Sequence, residues 1–388
     1  MQPSPYRPGE LTDSLPGREP LLAEADERLA HMCGLGRLAG RAHVFTGARG
    51  FGKTSLLREI ERRAQAQGAL TAWVTAGEEH GLLAALAQAV RSATADWRDS
   101  ARLRPMLEQV TVSVNIGVAS AEATLHRRDH ETGASGARAV EAMVREVLAA
   151  GRHHHRRALV LFVDEIQAAD RVGLRTLAYA WQHLQAEGSD VPAGIFAAGL
   201  PDTSQVIVAA VSSSERFAYR DLDPLSPEAV VRALADAASP LGVRWEATAL
   251  RAAVAAAAGY PFAVQLIGDH AWQQAGSPDP GGVITSRHAA RACDLTQQEM
   301  TRLIEDRYTR ATPAERRFLN AMAALGDGPA RRADIAATLD AASTALSSAR
   351  DSLLKQGLIR PAAHGLVEFT IPGMAAYLRA RGETGPSR

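Results

Sequence analysis

The 388-residue sequence predicts an α/β protein: a doubly wound, largely parallel sheet, then a helical segment, then a small C-terminal domain of three helices and a hairpin. Three observations carry this expectation. A glycine-rich loop, Gly47-Ala48-Arg49-Gly50-Phe51-Gly52-Lys53-Thr54, stands between a short apolar run at 42–46 and a helical pattern that opens at Ser55. A continuous apolar run at 158–163 ends in Asp164-Glu165, as expected of a parallel strand buried on both faces. From residue 312 onward, cap and turn signals divide the chain into three short helical patterns and two β-prone runs.

The loop is the most specific signal, because its spacing G-x-x-x-x-G-K-[ST] is complete and lies between a strand and a helix. The chain has only two lysines, Lys53 and Lys355, and otherwise uses arginine. Lys53 stands where a compact ammonium must reach the β- and γ-phosphates of a nucleotide, a geometry that a planar guanidinium meets badly. Glycines let the loop wrap closely, its N–H groups face the phosphates, and the helix N-terminus adds positive potential. Gly47, Ala48, Arg49, Gly50, Phe51, Gly52, Lys53, Thr54 and Ser55 are therefore expected to hold ATP, with the Thr54 hydroxyl on Mg²⁺. Carboxylates at the C-terminal end of a central strand sit where open α/β sheets bind ligands. Asp164 is expected to hold Mg²⁺ through water. Glu165 is expected to polarise the water that attacks the γ-phosphate.

Further strands are expected at 70–75, 194–199 and 216–222, the last at the sheet edge, with helices at 81–94, 137–150 and 172–186. Residues 110–118 alternate like a strand or hairpin, and the polar stretch 127–136 reads as a loop. His153-His154-His155 lies in a basic connector with no carboxylate at ligand spacing, which favours a solvated loop over a metal site. Basic and acidic residues both number 43, so no global field points to nucleic acid or membrane. Cys33 and Cys293 are too few for a disulfide framework or a cysteine-based metal site. No apolar run is long enough to span a bilayer, and the first residues are polar and Pro-rich, unlike a secretory signal. A cytoplasmic protein without a membrane partner is the expectation.

Downstream, Ser226 can cap a helix with Pro227 at its first position. Helical patterns follow at 228–238, 246–258 and 262–274, then a Gly- and Pro-rich loop at 276–282 and a long helix at 285–309. Thr312-Pro313-Ala314-Glu315 has capping-box spacing. Helices at 315–325, 332–339 and 343–356, with a hairpin of 358–360 and 366–370 around 361–365, make a winged helix-turn-helix. The helix 343–356 would be presented to a major groove. Thr344, Ser347, Ser348 and Arg350 are its candidate contacts, with Arg331, Arg332, Lys355 and His364 nearer phosphates. Residues 311–388 hold ten basic and seven acidic side chains, a mildly positive balance. Winged helices also dock proteins, so duplex DNA and protein partners both stay open.

Taken together, the motifs resemble a bacterial AAA+ P-loop ATPase of the branch that holds origin-recognition-like proteins and STAND signalling ATPases, over roughly residues 14 to 380. Leu15-Pro16-Gly17-Arg18-Glu19 resembles the Gly-Arg-Glu box that opens such modules, and implies that Arg18 touches the nucleotide. Gly259-Tyr260-Pro261 resembles the turn of the helical lid, and implies that Pro261 packs near the adenine. The resemblance also implies an ATP-dependent homo-oligomer, with Arg216 or Arg220 as an arginine finger. Two departures imply slow hydrolysis. The strand after Asp164-Glu165 ends Ala197-Ala198-Gly199-Leu200-Pro201, with no polar side chain to sense the γ-phosphate, and no arginine lies beside Gly259-Tyr260-Pro261, where Phe262, Ala263, Val264 and Gln265 follow. The domain organisation expected is a tail 1–13, an AAA+ core 14–225, a helical lid 226–275, a linker and connecting helix 276–310, a winged-helix domain 311–380 and a tail 381–388. The expected function is an ATPase whose nucleotide state controls DNA binding or assembly, or a signalling switch that oligomerises with ATP and docks proteins.

Overall fold

The computed structural model describes residues 1–12, 14–77, 81–98, 100–121, 128–188, 190–211, 214–363 and 365–383. It divides into two compact units, one of Arg18–Thr46 with Lys53–Asp221, the other of Met1–Gly17, Gly47–Gly52 and Leu222–Arg388.

The first unit runs α1 (Glu19–Cys33), β1 (Ala42–Thr46), α2 (Lys53–Ala66), β2 (Ala69–Thr75), α3 (Leu82–Ala93), α4 (Ser100–Ala121), α5 (Arg128–His153), β3 (Ala158–Asp164), α6 (Arg171–Glu187), β4 (Ala193–Gly199), α7 (Thr203–Ala210) and β5 (Phe217–Asp221). The strands form one parallel sheet in the order β2-β3-β4-β1-β5. Parallel neighbours cannot be joined by tight turns, so helices make every crossover, and the central strands they cover are mostly apolar. All residues of β1, β3 and β4 are buried. The order places β4 between β1 and β3, so the C-terminal ends of these three strands lie side by side.

Two expectations are corrected here. The alternating stretch 110–118 lies within helix α4. Leu103, Leu107 and Val110 are buried at helical spacing, and this packing outweighs the β-propensity of the valines that follow. Residues 128–136 belong to α5, as the first turns of a helix anchored by Ala137, Val140, Val144 and Val147; Arg127 lies outside the described residues. Of the histidine run, His153 ends α5, while His154 stacks on Trp97 with ring centroids 4.6 Å apart. The described residues contain no cluster of metal-ligating side chains.

His43, in β1, is 1% exposed among Phe45 and Phe196, and burial with Arg28 nearby pushes its pKa down to about 4. The folded value lies below the unfolded one, so stability is full above pH 6.5, falls as the unfolded ring takes up its proton, and levels off below pH 4. The loss is on the order of 3 kcal/mol. His43→Leu should remove that acid limb in denaturant titrations at pH 7 and pH 4.5; an unchanged difference between the two pH values would refute it.

The second unit continues with α8 (Pro227–Ala238), β6 (Arg244–Trp245), α9 (Ala247–Ala257), α10 (Pro261–Gln274), β7 (Val283–Ile284) and α11 (Ser286–Arg310). Ser226 caps α8 by accepting from the Ala229 N–H, as its position before Pro227 leads one to expect. Tyr6 is buried against Trp245 and Trp272; its hydroxyl donates to the Leu234 carbonyl at 2.6 Å and accepts from the Trp245 indole at 2.8 Å. Then come α12 (Pro313–Ala324), β8 (Ala330–Arg331), α13 (Arg332–Thr338), a 3-10 turn (Ser343–Leu346), α14 (Ser347–Gln356), β9 (Ile359–Ala363), β10 (Leu366–Phe369) and α15 (Met374–Glu383). The Thr312–Glu315 capping box forms, and Gly357, at φ +68°, ends α14 in the left-handed region. The last strands make an antiparallel sheet, β8-β10-β9. The first four residues of the expected helix 343–356 thus form a 3-10 turn, and the hairpin strand extends through 361–363, which were expected in the turn.

Candidate nucleotide site

The loop that follows β1 depends on glycine for two different reasons. Gly50 and Gly52 have φ of +81° and +80°, where side chains other than glycine are strained. At Gly52 an added Cβ would meet nothing, so conformation alone requires glycine; at Gly50 it would also overlap the Tyr260 hydroxyl. That hydroxyl donates to the Arg49 carbonyl at 3.0 Å. Burial raises the Tyr260 pKa, keeping the phenol protonated and able to donate. The Phe51 ring lies 5.5 Å from the Tyr260 ring, and the Arg360 guanidinium lies 5.7 Å from the centre of the Phe51 ring. Arg360 itself pairs with Glu368 and, at 3.7 Å, with Asp223. Phe51 of the loop is therefore flanked by the turn before α10 and by strand β9. Pro261 takes the first position of α10, and its neighbour Tyr260 is the residue that reaches the loop.

Lys53, Thr54 and Ser55 open α2, with Lys53 only 6% exposed. Thr54 donates from its hydroxyl to Asp164 Oδ2 at 2.7 Å, joining two motifs 110 residues apart. Asp164 is 5% exposed at the end of β3, and its Oδ1 accepts from the Glu165 N–H at 2.9 Å. A hydroxyl beside a single carboxylate is a donor set that suits Mg²⁺, which keeps several waters and takes its remaining ligands from substrate phosphates. Glu165 adopts φ +50°, uncommon for a side chain of its size, and turns its carboxylate to accept from Gln167 Nε2 at 2.5 Å.

Four arginines sit in four different settings. Arg18 is buried at the start of α1. Arg220, in β5, makes a two-pronged pair with Glu24 at 2.6 and 2.7 Å, which raises the Arg220 pKa and lowers that of Glu24. Arg216 sits half-buried in the 3-10 turn before β5. Arg307, in α11, was not among the expected site residues; its Nη1 is buried without a hydrogen-bond partner. Burial lowers its pKa, opposed by Tyr260 and reinforced by Arg49. A cation with an unsatisfied buried N–H near Arg49 suits an anionic ligand at the loop.

In the C-terminal domain, Arg331 lies in β8, Arg332 at the start of α13, Thr344 in the 3-10 turn, Ser347, Ser348 and Arg350 in the first turn of α14, and Lys355 in its last. Arg331, Arg332, Thr344, Ser348 and Lys355 are exposed. Arg350 is half-buried and donates to Asp351 at 3.0 Å. His364 lies outside the described residues.

Residues 14–191 match the AAA ATPase domain family, and residues 301–378 match a domain of unknown function (DUF8462). No curated protein sequence matches the chain. Among solved structures, the Walker-type ATPase PABY2304 of Pyrococcus abyssi is similar over 96% of this chain and 98% of its own, with a TM-score of 0.59 and 16% identity. The ORC2 protein of Aeropyrum pernix, in its ADPNP-ADP complexes, is similar over 98% of each chain, with a TM-score of 0.57 and 12% identity. At these identities the likeness is one of fold. The described residues include no helix long and apolar enough to cross a membrane.

Proposed function

We propose that this AAA+ P-loop module binds Mg²⁺-ATP, hydrolyses it slowly, and uses its nucleotide state to control duplex DNA binding or assembly through the C-terminal domain, read as a winged helix. The observation that carries the ATPase reading is the Thr54–Asp164 hydrogen bond, which brings the metal-side groups of both motifs together. Lys53 neutralises phosphate charge, and Arg307 adds a second cation beside the loop. Thr54 and Asp164 would hold Mg²⁺, which would neutralise phosphate charge when bound. Glu165 orients and deprotonates the attacking water. The Ala198-Gly199 end of β4 offers no polar side chain to the γ-phosphate, in keeping with slow turnover. With Arg220 engaged by Glu24, Arg216 is the remaining candidate for a finger acting on a neighbouring subunit.

Coupling to the C-terminal domain is supported by Phe51, since the loop that would close on phosphates also touches Arg360 of β9. Duplex binding should weaken as salt rises, with a slope of about −0.9 per neutralised phosphate. Arg331→Ala with Arg332→Ala should flatten that slope for all sequences alike, whereas Arg350→Ala should blunt sequence preference. Absence of duplex binding at low salt by the ATP-loaded chain would remove the DNA reading and leave the protein-docking switch, which the modest charge of this domain also suits.

A further inference from the structure

Gln167 lies in the 3-10 turn Ile166–Ala168 that follows β3 and Glu165. Its amide has two partners. Nε2 donates to Glu165 Oε2 at 2.5 Å, and Oε1 accepts from the Leu200 backbone N–H at 3.1 Å. A backbone N–H can only donate and an ionised carboxylate can only accept, so the amide has one satisfactory orientation. Leu200 follows directly on β4, the strand between β1 and β3. The end of that strand is shaped around the amide. A Cβ at Gly199 would come within 2.7 Å of Gln167 Oε1 and would overlap the Thr203 hydroxyl. That hydroxyl in turn donates to the Leu200 carbonyl at 2.6 Å. The polar side chain that β4 lacks at its own end is thus supplied from the neighbouring strand's turn.

We infer that Gln167 is the positioning residue for Glu165, holding one carboxylate oxygen so that the other faces the attacking water, and tying the base to the end of β4 through Leu200. The inference rests on the reading of Glu165 as the general base. An amide is suited to this task because it donates to the carboxylate without adding charge. A carboxylate in its place would repel Glu165, and a shorter side chain could not span from Glu165 to Leu200.

The test uses the full chain and measures ATP affinity and steady-state turnover for Gln167→Ala, Gln167→Glu and Glu165→Gln. Gln167→Ala should lower kcat by roughly 10- to 100-fold, since a misplaced catalytic group costs rates of this order. Its ATP affinity should stay within about two-fold of wild type, because ground-state binding does not draw on this contact. Gln167→Glu keeps the size of the side chain but replaces the amide donor with an acceptor, so it should lower kcat at least as far as Gln167→Ala while ATP affinity again stays within about two-fold. Wild-type kcat in Gln167→Ala, a loss of ATP affinity that matches the loss of kcat, or wild-type turnover in Gln167→Glu would each overturn the inference. Glu165→Gln separates the two levels. If it is inactive while Gln167→Ala is normal, only the role of Gln167 fails; if it turns over normally, the assignment of the base fails and the inference with it.

Discussion

Lys53→Ala is expected to weaken ATP binding by roughly 30-fold or more, because removing one partner from a desolvated charge contact costs on the order of 2–5 kcal/mol. The residue is 6% exposed at the head of α2, directly after Gly52 in its left-handed conformation. Lys53→Arg should also bind poorly although it keeps the charge. The planar, forked head needs more room than an ammonium and presents its donors in one plane, whereas the site must admit a point charge beside the phosphates. Equilibrium titration with a fluorescent ATP analogue, with Mg²⁺ present, distinguishes these variants from wild type. Wild-type affinity in both would refute the assignment of the loop.

Glu165→Gln should leave ATP and Mg²⁺ binding intact and slow turnover by on the order of 10²-fold or more, the usual worth of a positioned general base. The substitution is conservative in shape. The new amide oxygen can still accept from Gln167, and Asp164 stays paired with Thr54, so the metal side of the site is untouched. What is lost is the ability to take a proton from water. The variant should therefore accumulate the ATP-bound form, along with any assembly that form supports, which native mass measurement with ATP would reveal. Undiminished phosphate release would show that another group, or none, acts as base.

These expectations draw on features legible in the sequence to different degrees. The strand–loop–helix around Lys53 and the apolar strand before Asp164 were readable because their chemistry imposes fixed local spacing, and because burial on both faces leaves a continuous apolar run. The hydrogen bond that joins Thr54 to Asp164 spans 110 residues, yet each partner carries its own local motif. Tyr260 and Gln167 carry no such signal. Tyr260 matters because it fills the space that Gly50 leaves open, and Gln167 because β4 ends in residues without polar side chains; both facts exist only once distant segments meet. Arg220 illustrates the opposite case, a plausible finger by position that the fold commits to Glu24. The stretch 110–118 misleads because valine alternation is a weak prior, overridden by the packing of Leu103, Leu107 and Val110. Strands β6, β7 and β8, two residues each, are too short for any period to show.

The most direct test of the central claim is a single-turnover experiment with the wild-type chain in excess over radiolabelled ATP, following bound nucleotide and its conversion to ADP and phosphate with Mg²⁺ and again with the metal chelated. The proposed site predicts that ATP is retained by the chain with Mg²⁺ and converted slowly to ADP, and that chelation stops conversion. Failure to retain ATP in the presence of Mg²⁺, or conversion at the same rate without metal, would contradict it.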